Sequence, residues 1–253
     1  IMNIQEEPLE KKICIRKFKF SCDDEDPSIP EPLPKSLNHF LLICGRPGSS
    51  KTTLILNLIA KRGKNYNNKF DRVYVFSPSL GTMDNNPFED LPEDQVYTEL
   101  NPENLQGVMD DIADSGDKVL LIIDDCVNDM RKNMEVERLM AKILMNRRHL
   151  CGSGGSLSAW ITSQVYNKIP APVRKTASHI VMYNTKSKRE LDTIFDETIT
   201  IPKDDFYRIL NYCFKGKYDF MFLDLTKSHK GMFHRNFNKL KYNLKSDVDL
   251  GTR

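Results

Sequence analysis

The sequence has no long apolar run, no paired-cysteine motif and no large net charge. Its most apolar stretch, 119–123, has the length of a buried strand, whereas a membrane-spanning helix needs roughly 18 apolar residues. The six cysteines are scattered without a CxxC pair, which favours reduced thiols over disulfides or a zinc site. The N-terminal residues lack the basic and apolar blocks of a signal peptide. We therefore expect neither a membrane span nor a secretory route.

The net charge of +2 gives no indication of a nucleic-acid partner, but the charges are unevenly distributed. Segment 73–117 has eleven acidic residues and no Lys or Arg. Segment 138–189 has ten Lys or Arg residues and no acid, and segment 225–246 has six and again no acid. Such segments are typical of nucleic-acid-binding faces, or of unlike surfaces that meet in an oligomer. Alternatively, folding mixes them into a neutral surface.

The chain divides into three predicted regions. Residues 1–38 form an N-terminal arm, with a possible edge strand at 13–20 and a proline-rich extended linker after it. Residues 39–224 form the core, in which strand-like and helix-like patterns alternate; this predicts an α/β fold with a mostly parallel sheet flanked by helices. Residues 225–253 form a basic C-terminal tail.

Hydrophobic patterns and turn residues place the elements of the core. The predicted strands are 39–44, 72–76, 118–123, 157–162, 179–183 and, as the last one, 218–223. The predicted helices are 51–61, 101–116, 134–149, 187–196 and 203–214. A long polar loop covers 79–97, and loops of that length within a domain are usually functional or disordered.

A phosphate-binding loop is predicted where the first core strand meets the first helix. The residues that would surround the nucleotide are Gly45, Arg46, Pro47, Gly48, Ser49, Ser50, Lys51, Thr52 and Thr53. Small residues let successive backbone N–H groups curl around phosphate oxygens at a helix N-terminus. Lys51 would bridge the β- and γ-phosphates of ATP, Thr52 would ligate Mg²⁺, and Thr53 would reach the α-phosphate.

Ser50 departs from this motif, because it stands where the second glycine is expected. If its φ angle is positive, the serine strains the backbone by about 1–3 kcal/mol. The hydrolysis rate is therefore open, although the Lys-Thr pair remains.

Two carboxylates follow the apolar strand at 118–123. Ligands in open α/β sheets bind at the carboxyl ends of strands, so Asp124 and Asp125 are expected beside the phosphate loop. Asp124 would hold Mg²⁺ through water, and Asp125 would position or deprotonate the attacking water. The alternative is that both are simple turn residues.

Four further polar residues are candidates for catalysis. Gln164 follows the next strand and could contact the γ-phosphate or the water, although it could equally be a loop residue. Arg147, Arg148 and Arg174 could each act as an arginine finger in a neighbouring subunit's site. Arg147 and Arg148 could instead stabilise a helix C-terminus.

Several motifs together resemble one group of proteins. They are Gly-Arg-Pro-Gly-Ser-Ser-Lys-Thr at 45–52, Leu-Leu-Ile-Ile-Asp-Asp at 120–125, Asn-Arg-Arg-His at 146–149, Ile-Thr-Ser-Gln at 161–164, and Val-Tyr-Asn-Lys-Ile-Pro-Ala-Pro-Val-Arg at 165–174. Over about residues 39–185 the sequence resembles the A32-type genome-packaging ATPases of large DNA viruses and virophages, which are FtsK/HerA-superfamily P-loop motors.

The resemblance implies a RecA-like ATPase that assembles into a homo-oligomeric ring and pumps double-stranded DNA into a capsid. It implies ATP and Mg²⁺ as cofactors, sequence-independent contacts to the DNA backbone, and a capsid or portal vertex as partner. Asp124 becomes the metal acid, Asp125 the catalytic acid and Gln164 the polar sensor, while the arginine finger remains unassigned. The implied location is the host cytoplasm at the site of virus assembly, or the virion.

Two other functions stay open at this stage. One is another P-loop enzyme, helicase-like or a phosphotransferase, that turns over ATP without packaging DNA. The other is a structural protein with a degenerate phosphate loop, which Ser50 favours and the intact Lys51, Thr52, Asp124 and Asp125 oppose.

Overall fold

A computed structural model describes residues 24–60, 65–80 and 88–244. The predicted edge strand at 13–20 lies outside these ranges, as do 81–87 of the polar loop and 245–253 of the tail. The strands are β1 Phe40–Cys44, β2 Arg72–Phe76, β3 Val96–Tyr97, β4 Lys118–Ile123, β5 Ser156–Ser163, β6 His179–Tyr183, β7 Phe220–Asp224, β8 Phe233–Arg235 and β9 Asn238–Lys239. The helices are α1 Lys51–Ile59, α2 Pro102–Ile112, α3 Val127–Lys132, α4 Met134–Asn146, α5 Ala171–Arg174, α6 Lys188–Thr198, α7 Lys203–Cys213 and α8 His229–Met232.

The strands of the described residues form one sheet in the order β3-β2-β4-β5-β1-β6-β7-β8-β9. The first six in this order are parallel, and β7, β8 and β9 each pair antiparallel with the preceding strand. The mostly parallel α/β sheet expected from the sequence is therefore confirmed. The order also places β4, β5 and β1 side by side, so their carboxyl ends form one edge of the sheet.

Both faces of the sheet are buried, which explains the nearly continuous apolar strands. In β1, Phe40, Leu42 and Cys44 contribute to one core, and Leu41 and Ile43 to the other. Helices α2 and α4 cover the first face with apolar side chains. Helix α1 covers the second face, together with part of the predicted proline-rich linker, whose apolar side chains are buried there.

The sequence missed the short strands at the two ends of the sheet. Strand β3, within the predicted polar loop, pairs with β2 over only two residues. Strands β8 and β9 follow the strand that was predicted to be the last, and that prediction is wrong. They are joined by Asn236 and Phe237, whose φ angles of 48° and 68° fit a tight hairpin turn. The second central residue of such a turn is usually glycine, and here it is Phe237, so the sequence does not show the usual pattern of a hairpin turn.

Helix boundaries differ from the predictions by a few residues. Helix α2 ends at Ile112 and α4 ends at Asn146, three or four residues before the predicted ends. The short helix α3, directly after the acid pair, was not predicted, since its six residues are too few to show a helical period. None of the helices in the described ranges is long and apolar enough to cross a membrane. The three-region division into 1–38, 39–224 and 225–253 stays a prediction.

Two buried histidines lie at the amino ends of β1 and β6. The ring Nδ1 of His39 lies 2.8 Å from the Ser36 carbonyl oxygen, and the indole N–H of Trp160 donates to its Nε2 at 2.8 Å. The ring of His179 lies 2.8 Å from Ser178 Oγ and 3.4 Å from an Asp224 carboxylate oxygen. Burial lowers the pKa of both His39 and His179 to about 3, with smaller contributions from nearby positive charges.

These pKa values predict that the protein loses stability as the pH falls below neutrality. Both histidines stay neutral when folded, whereas an unfolded histidine binds a proton below about pH 6.5. Between pH 7 and pH 5 each should lower the free energy of unfolding by about 2 kcal/mol. Urea denaturation at several pH values measures this loss. A flat profile between pH 7 and pH 5 would contradict this assignment.

Candidate nucleotide-binding site

The predicted phosphate loop joins the end of β1 to the start of α1. The Gly45 N–H donates to the Ser163 carbonyl at 3.0 Å, which holds the loop against the end of β5. A Cβ atom at Gly45 would lie 2.5 Å from Ser49 Oγ and 2.9 Å from the Tyr183 Cβ, so this position requires glycine. Residues 46–48 are exposed, and the loop therefore presents its backbone to solvent.

Two residues of the loop have left-handed backbone conformations. The φ angles are 74° for Gly48 and 72° for Ser50, so the strain anticipated at Ser50 is present. The Ser50 side chain does not cap α1. The first N–H groups of a helix have no partner within the helix, and here they remain available to an anion such as a phosphate. Thr53, in this first turn, is exposed.

The Lys51 ammonium folds back over the loop. Its Nζ donates to the Gly45 carbonyl at 2.8 Å and to the Arg46 carbonyl at 3.4 Å. Burial lowers the pKa of Lys51, and the carboxylates of Asp125 and Asp124 partly oppose this shift. A phosphate would supply the negative charge that the two carbonyls lack.

Asp124 is buried and bound by two threonine hydroxyls. Thr52 Oγ1, from α1, donates to one carboxylate oxygen at 3.0 Å, and Thr162 Oγ1, from β5, donates to the other at 2.7 Å. The same Thr162 oxygen accepts the Asp125 backbone N–H at 2.9 Å. The structure thus brings the two predicted metal ligands, Thr52 and Asp124, into direct contact.

Asp125 lies at the exposed rim of this site. Its φ angle of 60° is left-handed, which turns its side chain away from the direction that the strand would give it. Gln164 Nε2 donates to both carboxylate oxygens, at 3.2 and 3.0 Å. Gln164 and Asp125 therefore meet at the sheet edge where they were expected.

The donors at this edge fit a magnesium ion. Mg²⁺ prefers oxygen ligands and usually keeps several waters, so that one or two protein groups and the phosphates complete its shell. Thr52 and Asp124 offer a hydroxyl and a carboxylate oxygen within 3.0 Å of each other. No cluster of three or more His, Cys, Asp or Glu residues able to hold a metal occurs in the described ranges.

The three candidate arginines lie away from this site within the chain. Arg147 follows α4, and its carbonyl accepts the N–H of Leu157 at the start of β5, which places Arg147 and Arg148 at the opposite edge of the sheet. Arg174 forms an ion pair with Glu197, with Nε donating to a carboxylate oxygen at 2.8 Å. The hydrogen-bond partners of Arg147 and Arg174 thus lie outside the phosphate loop of their own chain.

Three residues at the site were not identified from the sequence. Thr162 holds Asp124, the Tyr183 hydroxyl lies 3.4 Å from the Ser50 carbonyl, and buried Glu190 accepts the Tyr166 N–H at 2.6 Å behind the Gln164 loop. A polar residue near the carboxyl end of a buried strand could have pointed to Thr162. The roles of Tyr183 and Glu190 depend on contacts between distant segments.

No protein-family model and no curated protein sequence matches the chain. Solved structures do. The DNA-packaging ATPase B204 of Sulfolobus turreted icosahedral virus matches with a TM-score of 0.57 at 16% identity, covering 81% of this chain and 98% of that one. The genome-packaging NTPase B204 of Sulfolobus turreted icosahedral virus 2, in complex with ATPγS, matches with a TM-score of 0.53 at 16% identity, covering 81% and 99%.

A third similar structure is the pCW3 conjugation coupling protein TcpA with ATPγS. Its TM-score is 0.55 at 13% identity, and the match covers 86% of this chain and 66% of TcpA. At such identities the likeness establishes the fold. The chain therefore has the RecA-like P-loop NTPase fold, with the phosphate loop, Asp124, Asp125 and Gln164 along one edge of its sheet.

The strain at Ser50 predicts that Ser50→Gly stabilises the protein. Glycine adopts the left-handed conformation without a steric penalty, and this gain exceeds the entropy that glycine adds to the unfolded chain. We expect the free energy of unfolding to rise by about 1 kcal/mol.

Ser49→Gly is the matched control, because Ser49 does not have a positive φ angle. It should lower the free energy of unfolding by at most about 0.5–1 kcal/mol, because the added chain entropy is partly offset by loss of the Ser49 hydroxyl, which is buried without a hydrogen-bond partner. Urea denaturation of both variants measures the difference, and equal effects would contradict strain at Ser50.

Proposed function

We propose that the chain hydrolyses ATP at this site and uses the reaction to translocate double-stranded DNA into a viral capsid. The observation that carries the proposal is the Thr52–Asp124 contact, made directly beneath a phosphate loop whose Lys51 is already turned inward. A glycine-rich turn without a nucleotide-binding role does not require this contact between Thr52 and the buried carboxylate that follows β4.

Different residues of the site would bind the phosphates of ATP and the Mg²⁺ ion. The backbone N–H groups of residues 48–52 would surround the phosphates, and Lys51 would move from its two carbonyl partners to the β- and γ-phosphates. Thr52 and Asp124 would hold Mg²⁺, which neutralises charge that develops on the phosphate oxygens. Thr162 keeps the Asp124 carboxylate in place for this role.

Asp125, at the exposed rim of the site, would act on the attacking water. The water oxygen forms a bond to the γ-phosphorus while the bond from that phosphorus to the β,γ-bridging oxygen breaks, leaving ADP and inorganic phosphate. Asp125 orients the water and accepts a proton from it. The Gln164 amide donates to both Asp125 carboxylate oxygens in this structure and so orients the carboxylate. When ATP and water bind, the same amide could donate to the water or to a phosphate oxygen.

The DNA-packaging part of the proposal rests on two kinds of support. The sequence motifs resemble those of A32-type packaging ATPases, and the fold is that of a viral DNA-packaging ATPase. The arginine candidates lie outside the site of their own chain, which is compatible with a ring in which one subunit completes the site of the next. The partners would then be double-stranded DNA and a capsid or portal vertex, at the host-cytoplasmic site of virus assembly or in the virion.

The first test is the ATPase rate as a function of protein concentration, with and without linear double-stranded DNA. We expect the rate per chain to rise with concentration, because the site is completed by a neighbouring subunit, and DNA to raise it further. Asp125→Asn removes the proton acceptor and should lower kcat by about 10²- to 10⁴-fold. Asp129→Asn, which neutralises an acid in nearby α3, is the matched control and should keep the rate.

Other outcomes identify other functions. A rate per chain that is constant with concentration and indifferent to DNA would indicate a self-contained NTPase. Binding of ATP without any turnover would favour a nucleotide-binding structural protein, the alternative that Ser50 raises. Equal losses in the Asp125 and Asp129 variants would contradict the role given to Asp125.

A further inference from the structure

A cleft of about 750 Å³ lies at the sheet edge opposite the phosphate loop. Its walls come from the N-terminal linker, the end of α4, the start of β6 and the segment that follows β7. The five cations that line it are Lys35, Arg147, Arg148, Lys227 and Lys239. The acids that line it are Glu25, Glu31 and Asp224.

The two basic segments of the sequence meet in this cleft. Arg147 and Arg148 belong to segment 138–189, and Lys227 and Lys239 to segment 225–246, so residues about eighty positions apart converge on one surface. The positive charges of Lys227 and Lys239 act on the rings of His179 and His234, which also line the cleft. The folded chain therefore concentrates these charges instead of mixing them with the acidic segment.

Most of the acids in the cleft already have partners. Glu31 forms an ion pair with Lys35 at 3.2 Å. Asp224 lies against His179 and accepts from the Thr226 hydroxyl and backbone N–H. Burial keeps His39 and His179 neutral by lowering their pKa values, so the positive charge of the cleft comes from arginine and lysine.

Like Lys35, which pairs with Glu31, Arg147 is a partly buried cation of this cleft. Its guanidinium donates to two backbone carbonyls, those of Asn38 and Leu144, both at 2.6 Å. The charged group that acts on it most is the neighbouring Arg148, which is also positive. A partly buried guanidinium held by carbonyls alone keeps an uncompensated charge, which an anion in the cleft would neutralise.

The lining also indicates which part of a nucleic acid would bind. No Phe, Tyr or Trp is among the described residues that line the cleft, and the rings of its three histidines are buried, so it offers no exposed ring on which unpaired bases could stack. Arginine and lysine without such rings recognise phosphate groups, which a duplex presents on its outside.

We propose that this cleft binds the phosphate backbone of double-stranded DNA. The inference rests on the proposed function only in its choice of DNA as the ligand, and it does not require hydrolysis. It places the DNA contact and the nucleotide site at opposite edges of one sheet, joined by the strands β1 and β5.

The test compares two double variants of the full chain by fluorescence anisotropy with a labelled 20-base-pair duplex over a series of salt concentrations. Lys227→Gln with Lys239→Gln removes two charges from the cleft. Lys142→Gln with Lys230→Gln removes two charges from the same basic segments at exposed positions that do not line it. We expect the cleft variant to bind more weakly, and its slope of log affinity against log salt to decrease by about two. The control variant should bind like the original chain.

Each other result overturns the cleft assignment. Equal weakening in both variants would mean a diffuse charge effect. Unchanged DNA binding with loss of self-association would mean that the cleft receives an acidic face of a second copy. Unchanged DNA binding together with cleft-dependent binding of inorganic pyrophosphate would mean a site for small phosphates. Thermal unfolding of both variants verifies that they fold. If DNA binding is unchanged and DNA still stimulates the ATPase rate of the cleft variant, the cleft assignment is wrong but the proposed motor function is not contradicted.

Discussion

The burial of the Asp124 carboxylate is the constraint on which the site depends. A carboxylate with little access to water is costly unless hydrogen bonds satisfy it, and here a hydroxyl from α1 and a hydroxyl from β5 each bind one oxygen. Because these donors come from different elements, the acid can be buried only when α1, β4 and β5 have their native positions. The same requirement that stabilises the fold thus brings together Thr52 and Asp124, the proposed metal ligands.

Two residues with strained backbone conformations lie next to this carboxylate. Ser50, directly before α1, and Asp125, just after β4, flank the site, and both have left-handed backbones that non-glycine residues rarely adopt. Asp125 is held in that conformation by the Thr162 hydroxyl, which accepts its N–H. The Thr162 hydroxyl therefore donates its proton to Asp124 and accepts the backbone N–H of Asp125.

The sequence predicted those parts of the molecule that depend on local patterns. The apolar strand before Asp124 and the glycines and Lys-Thr pair of the phosphate loop led to the correct sheet type and to the residues that meet at its edge. What it missed depends on tertiary contacts: Thr162 was visible only as a strand end, and the β8–β9 hairpin was concealed by Phe237. The pairing of Arg174 with Glu197 likewise joins segments that no sequence period connects.

The two outermost strands of the described sheet, β3 and β9, are only two residues long each. Unpaired backbone groups at a sheet edge are the usual template for joining one chain to another, and strands this short offer almost none of them. The edge strands within 24–60, 65–80 and 88–244 therefore offer almost no backbone for continuing one sheet into the next. A ring built from the described surfaces would be held by side chains, whose contacts can loosen and re-form, whereas a shared sheet would fix neighbouring subunits rigidly.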